Sequence, residues 1–214
     1  MRECPARMHS PAEKLKFFRE FLRSPRTIGS VVPTSGKVIK HIQASMDWSR
    51  ASLVVEYGPG LGTITRPMLE RMPPDAMLIA IDMQADFIEH LRSDIKDSRL
   101  IAVQGSAADV TAILDRHAGG SPADYVVSGL PFSTLPVGVG AQIVAATHKA
   151  LAPDGSFLVY QYSSRVLPLL HACFASVAET KVWLNIPPCH VFEAQKATGD
   201  TLAPASNHGS SAFA

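Results

Sequence analysis

The chain has 214 residues, 46% hydrophobic and 18% charged, which is enough apolar matter for a core and too little charge for a disordered chain. Length points to one domain with appendages, and sixteen prolines and fourteen glycines without a period exclude collagen-like and low-complexity classes. The net charge of +1 conceals an asymmetry, with ten Lys/Arg against four Asp/Glu in residues 1–50 and ten against fifteen in residues 51–214, so an anionic partner is expected to meet the N-terminal segment.

No uncharged apolar run reaches the roughly 18 residues that span a bilayer. The start, Met1 to Arg7, lacks the apolar stretch of a secretory signal. Three cysteines, Cys4, Cys173 and Cys189, are an odd number without C-x-x-C spacing, which argues against a disulfide framework or a zinc knuckle. No set of acidic, histidine and cysteine residues has ligand spacing, so no metal is expected. These features read as a soluble cytoplasmic protein with free thiols.

In chain order, residues 11–23 read as a helix with Ser10 as N-cap and Pro11 in its first turn. Leu15, Phe18 and Leu22 form a stripe that Phe17 and Phe21 widen, and Lys14, Lys16, Arg19 and Arg23 sit beside or opposite it. Residues 24–33 carry two prolines and a glycine and read as a structured loop, followed by a helix from Thr34 or Ser35 to about Ser45. From residue 52 strands and helices alternate: strands over 53–57, 77–81, 100–103, 125–127 and 157–162, and helices to about Met72, over 84–96, 108–117, about 137–151 and 166–175. Continuous apolar strands in a βαβα series imply a mostly parallel sheet with helices on both faces. The end differs, with strand-like runs at Thr180–Ile186 and Val191–Lys196 around Pro187-Pro188, an antiparallel hairpin. The organisation expected is residues 1–50 as basic N-terminal helices and a covering loop, 51–196 as the main domain, and 197–214 as a disordered tail.

Glu56-Tyr57-Gly58-Pro59-Gly60-Leu61-Gly62 occupies the turn after the first strand, where glycines let the backbone approach a ligand closely. A dinucleotide fingerprint would place its third glycine one residue later. An acid followed by three alternate glycines resembles the class I S-adenosylmethionine-dependent methyltransferases. The resemblance implies a Rossmann-like seven-stranded fold, mostly parallel with a C-terminal antiparallel hairpin. It further implies that Glu56 reaches the cofactor's ammonium. Asp82, 22 residues beyond Gly60 and next to Met83, stands where a carboxylate accepts both ribose hydroxyls. Gly105, Ser106 and Ala107 fall where this class contacts adenine. Many members have an acid where this chain has Ser106, and Asp109 either assists or caps the following helix.

Ser128-Gly129-Leu130-Pro131-Phe132 follows the fourth strand. Together with Arg23 to Ser35, Gln161-Tyr162 and Asn185 to Pro188, it makes the span from Phe17 to Lys196 resemble the bacterial phospholipid N-methyltransferases, which act on phosphatidylethanolamine. That resemblance implies S-adenosylmethionine as cofactor and S-adenosylhomocysteine as product. It implies cofactor contacts at Ser30, Glu56, Gly58, Gly60, Gly62, Asp82, Met83, Gly105, Ser106, Ala107, Ser128, Gly129 and Leu130. Catalytic roles fall to Ser128, Tyr160 and Tyr162, and acceptor contacts to Pro131, Phe132 and His190. The basic aromatic arm, with Lys14, Lys16, Phe17, Arg19, Phe21 and Arg23, is expected on an anionic membrane surface, peripheral at the inner face, or folded as a lid over the site. Cys189-His190-Val191-Phe192 departs from the family's usual run, which keeps a soluble small-molecule amine or hydroxyl as the alternative acceptor. An rRNA adenine N6-dimethyltransferase is a lesser alternative, because such an enzyme normally needs a basic RNA-binding portion after the catalytic core and residues 197–214 carry no Lys or Arg. DNA is not an expected partner.

Overall fold

The computed structural model describes residues 36–183 and 188–196. The expectations for the arm, including Ser30, Lys14, Lys16, Phe17, Arg19, Phe21 and Arg23, and for the 197–214 tail lie outside the described residues. The described elements are α1 (Gly36–Ala44), β1 (Leu53–Tyr57), α2 (Thr65–Leu69), β2 (Met77–Asp82), α3 (Ala85–Asp94), β3 (Leu100–Gln104), α4 (Val110–His117) after a 3-10 turn at Ala107–Asp109, β4 (Ala123–Ser128), α5 (Val139–Ala150), β5 (Leu151–Gln161), α6 (Leu167–Cys173), β6 (Ser176–Val182) and β7 (Cys189–Gln195).

The strands form one seven-stranded sheet in the order β3-β2-β1-β4-β5-β7-β6. Neighbours from β3 to β5 pair parallel, and β7 runs antiparallel to both β5 and β6. This is the expected Rossmann-like arrangement with its terminal hairpin. All five residues of β1 are buried, because helices cover both sides. Val55, Tyr57, Ile81, Phe157 and Phe192 pack with Ile113 of α4, Ile143 of α5 and Leu170 of α6. Val54, Leu78, Leu158 and Val191 pack on the other face with Ile42 of α1, Met68 of α2 and Leu91 of α3. Each such side chain contributes roughly 1.5–3 kcal/mol by leaving water.

Three boundaries differ from expectation. The helix after β1 is only five residues long, since glycine turns occupy 58–62 and helical bonding starts where Arg66 N reaches Gly62 O. β5 begins six residues early, at Leu151, which pairs with Ala123 before an irregularity in register. β6 lies at Ser176–Val182 rather than 180–186, because an edge strand exposed along most of its length needs no apolar run to mark it. Not every thiol is free: Cys173 is disulfide-bonded, whereas Cys189 is a buried free thiol.

Candidate functional site

The parallel strands deliver their carboxyl ends to one side of the sheet. There the first loop amides close onto neighbouring strands: Gly58 N donates to Ile81 O at 3.0 Å, Gly105 N to Asp82 O at 2.9 Å and Gly129 N to Tyr57 O at 3.0 Å. The candidate site residues lie at and just beyond these bonds. Gly58, Gly60 and Gly62 all have left-handed backbone, at φ of 67°, 53° and 78°. A Cβ on Gly62 would lie 2.9 Å from Leu91 and 3.2 Å from Ile95, so packing keeps that position bare. A Cβ on Gly60 would meet nothing within 4 Å. The left-handed backbone already favours glycine here, and the open space at its bare side leaves room for close approach of a ligand.

Glu56 is 1% exposed. Its Oε2 accepts from Thr65 Oγ1 at 2.6 Å, and its Oε1 has no hydrogen-bond partner. Burial pushes the carboxyl up to about 7, the Thr65 bond pulls it back, and the charge of Asp82 adds to the rise. A buried carboxylate oxygen without a donor is costly, and a ligand ammonium is the group that would satisfy it. Asp82 accepts from Gln84 N at 2.9 Å. Burial raises its carboxyl, against the backbone N–H groups of Gln84, Gly60 and Met83. Its bond from Gly60 ties the glycine loop to β2.

At the third loop Ser106 Oγ accepts from Ala108 N at 3.2 Å, so Ser106 caps the 3-10 turn. Asp109 stands at the start of α4 without a side-chain cap bond, so the capping expected of it falls to Ser106. Met83 is half-buried beside Asp82, and Ala107 is 8% exposed in the core.

The acceptor end lies over β4, β5 and β7. Ser128 is fully buried and its Oγ accepts from Leu130 N at 3.2 Å, shaping the loop from within. Phe132 turns inward at 8% exposure and packs near Gly140, so its ring belongs to the core more than to an open acceptor face. Phe132 N donates to Gln161 Oε1 at 3.2 Å, and Gln161 Nε2 donates to Ser163 O, so Gln161 anchors the Ser128–Phe132 segment to β5. The Tyr160 hydroxyl fills the space a Gly129 side chain would take. Pro131 is half-buried and Tyr162 is 37% exposed at the mouth. His190 pairs across from Gln161 on β5 and Lys181 on β6. Its Nδ1–H donates to Glu179 Oε1 at 2.7 Å, and its ring stacks on Phe192.

The structure thus gathers Glu56, Gly58, Gly60, Gly62, Asp82, Met83, Gly105, Ser106, Ala107, Ser128, Gly129 and Leu130 along the ends of β1 to β4, with Pro131, Tyr160, Tyr162 and His190 beyond them. Sequence reasoning missed three supports: Thr65, Gln161 as an anchor, and Glu179. A threonine nine residues after Glu56 and a glutamine ending an apolar strand were the only signals. Among the described residues no group of His, Cys, Asp and Glu is placed to hold a metal, and no helix is long and apolar enough to cross a membrane.

Residues 54–155 match the family described as a methyltransferase domain. Ornithine lipid N-methyltransferase of Singulisphaera acidiphila is 32% identical over 142 residues, covering 66% of this chain and 73% of that protein. Ribosomal RNA small subunit methyltransferase A of Laribacter hongkongensis is 36% identical over 70 residues, covering 33% of this chain but only 26% of its own length. Among solved structures, the 1,6-didemethyltoxoflavin-N1-methyltransferase of Burkholderia thailandensis, with bound S-adenosylhomocysteine, aligns at TM-score 0.63 and 20% identity over 90% of this chain and 93% of that one. Precorrin-6y C5,15-methyltransferase from Geobacter metallireducens aligns at TM-score 0.62 and 13% identity over 78% and 92%. At these identities the structures establish the fold.

Proposed function

The chain belongs to the class I S-adenosylmethionine-dependent methyltransferases, in the group that contains bacterial lipid N-methyltransferases, and we propose that it methylates the primary amine of a membrane lipid. Methyl transfer as the activity is supported by one observation above all, the buried and unpartnered Glu56 Oε1 at the end of the strand that leads into the glycine loop. A lipid amine as acceptor is supported by the ornithine lipid N-methyltransferase relative. Phosphatidylethanolamine is the first acceptor to test and an ornithine lipid the second, since both head groups carry a primary amine, and the methylated forms of phosphatidylethanolamine follow as acceptors of further methyl groups. Such an enzyme works as a peripheral protein on the cytoplasmic face of the membrane.

S-adenosylmethionine, when bound, supplies a methyl group already activated by its sulfonium. The chain's own contribution is then alignment and a deprotonated acceptor. Glu56 Oε1 would take the cofactor's ammonium, Asp82 its ribose hydroxyls, and Gly60 would allow the close approach of its aminoacyl chain. Ser106, Ala107 and Met83 border the base. The Ser128–Phe132 segment, held by Gln161, aligns the acceptor. An alkylammonium has no lone pair, so its proton must leave first; the His190 imidazole, held through Nδ1 by Glu179, is the group at that end able to take it, while the Tyr160 and Tyr162 hydroxyls can hydrogen-bond the amine.

The test is transfer from methyl-labelled cofactor into vesicles containing phosphatidylethanolamine or ornithine lipid, against a panel of soluble amines and RNA. Label in the lipid extract is expected. Label confined to a soluble amine or to RNA overturns the lipid reading.

A further inference from the structure

Four large apolar side chains are exposed among the described residues: Leu61, Val137, Tyr162 and Trp183, at 52%, 106%, 37% and 71%. All four sit at the same end of the sheet. Leu61 follows β1, Val137 lies between β4 and α5, Tyr162 is the first residue after β5, and Trp183 the first after β6. These strands share one direction, because β6 is antiparallel to β7 and β7 to β5. The four side chains therefore lie at the end of the sheet that also carries Glu56, the glycine loop and Asp82. A lone exposed apolar residue needs no explanation, but a set gathered on one rim marks an interaction site.

The charges on this rim are also sorted. Lys181 Nζ lies 6.0 Å from the Trp183 ring, and Arg165 is exposed in the connection from β5 to α6. The nearby acid, Glu179, is engaged by His190. Asp82, Asp86 and Asp109 follow β2 and β3, on the other half of the rim. The half above β4 to β7 is thus apolar and basic, and the half above β2 and β3 is acidic. Tryptophan and tyrosine with adjacent lysine or arginine suit the boundary between hydrocarbon and water, and anionic lipids attract cations held near their surface.

We infer that the rim formed by Val137, Tyr162, Trp183, Lys181 and Arg165 docks on an anionic bilayer surface, with the carboxyl end of the sheet facing the lipid. The inference rests on the lipid-amine reading above, since an acceptor amine that stays in the bilayer reaches the candidate site only if this end meets the membrane. It assigns the contact to the folded domain itself, separately from the N-terminal arm.

The chain's two tryptophans make the test directional. Trp48 lies ahead of β1, at the opposite end of the sheet, with its Nε1 bonded to Gln43 O. In the full chain, Trp48→Phe leaves Trp183 as reporter and Trp183→Phe leaves Trp48. Vesicles of phosphatidylglycerol and phosphatidylcholine should shift Trp183 emission to the blue, and brominated acyl chains should quench it, while Trp48 stays unchanged. Lys181→Gln with Arg165→Gln should weaken vesicle binding on the order of 30-fold, more at low salt than at high, with cofactor affinity intact. A silent Trp183, or a response from Trp48 alone, overturns the inference. If Trp183 is silent while vesicle lipid is still methylated, the docking surface fails and the lipid reading survives. If Trp183 responds but only soluble amines are methylated, the acceptor reading fails instead.

Discussion

At the amino end of the sheet polar groups are consumed by structure, and at the carboxyl end they are left waiting. Asp124 Oδ2 accepts from both Ser52 N and Leu53 N, at 2.8 and 2.9 Å, and the Tyr125 hydroxyl accepts from Asp47 N. Arg99 spreads its guanidinium over Asp97, Met72 O, Pro73 O and Leu69 O. Across the molecule, Glu56 keeps an unpartnered buried oxygen, Asp82 is held above its ordinary range by burial, and large apolar side chains face outward. One end is optimised for folding and the other carries the costs of binding, which is how sites built on the strand ends of α/β sheets are distributed.

The sharpest way to break this contrast is at the glycine loop. Gly60→Val should abolish cofactor binding in calorimetry while costing only about 1–2 kcal/mol of stability for the left-handed backbone, or a fall in Tm of a few degrees. Gly62→Val, two residues on, should instead unfold or severely destabilise the chain, because its side chain would enter Leu91 and Ile95. If both variants fold equally poorly, Gly60 has no special tie to the ligand.

Glu56→Gln comes next. Removing the charge that meets an ammonium should weaken cofactor affinity roughly 10- to 100-fold, as expected for hydrogen bonds to charged groups. The cofactor-free protein should become no less stable and should lose a pH dependence. In the folded state the carboxyl ionises at about 7 instead of near 4.5. Between those values the unfolded chain has released a proton that the folded chain still holds, so native stability falls as pH rises from 4.5 to 7 and stays at its reduced level above. Denaturant titrations across that window should show this slope in the native protein and a flatter one in Glu56→Gln. An unchanged slope would remove Glu56 from its assigned place.

Asp124→Ala probes the other end. Stability should drop by about 2 kcal/mol, since two backbone donors lose a charged acceptor, while cofactor affinity stays within error. A loss of affinity as large as that of Glu56→Gln would show that the two ends are coupled and that the division between them is wrong.

The carboxyl end was also the more readable end. The spacing of Glu56, Gly58, Gly60, Gly62 and Asp82 is set by ligand contact, so it survives as a pattern in one dimension. Strands β1 to β4 were readable because burial on both faces makes them continuous apolar runs. β6 was misplaced by four residues because it is exposed at the sheet edge, where no burial writes an apolar pattern. Ser128 and Phe132 were assigned to chemistry from their position in a motif. The structure shows them shaping and packing the loop, a distinction that depends on side-chain direction and so leaves no trace in residue order. Thr65 and Gln161 escaped for the same reason, being ordinary polar residues whose importance lies in one partner each.

The smallest expected effect lies at the third loop, where the chain departs from the pattern that its resemblance to the class implies. Ser106 holds the place of an acid that many class I methyltransferases direct at the adenine amino group, and here its hydroxyl caps the turn at Ala107–Asp109. Aspartate is as good an N-cap as serine, because its carboxylate accepts the same backbone N–H, so Ser106→Asp should leave the cofactor-free Tm unchanged. A carboxylate has a second oxygen, which remains available to the adenine amino group after the cap bond is made. One added hydrogen bond contributes about 0.5–1.5 kcal/mol, so affinity for S-adenosylmethionine and S-adenosylhomocysteine should rise by a few-fold to about tenfold. An analogue whose base lacks the amino group should show no gain, which separates a direct contact from a general charge effect. A Tm that falls with Ser106→Asp while affinity stays flat would mean that the third loop, unlike the glycine loop, serves the fold and not the ligand.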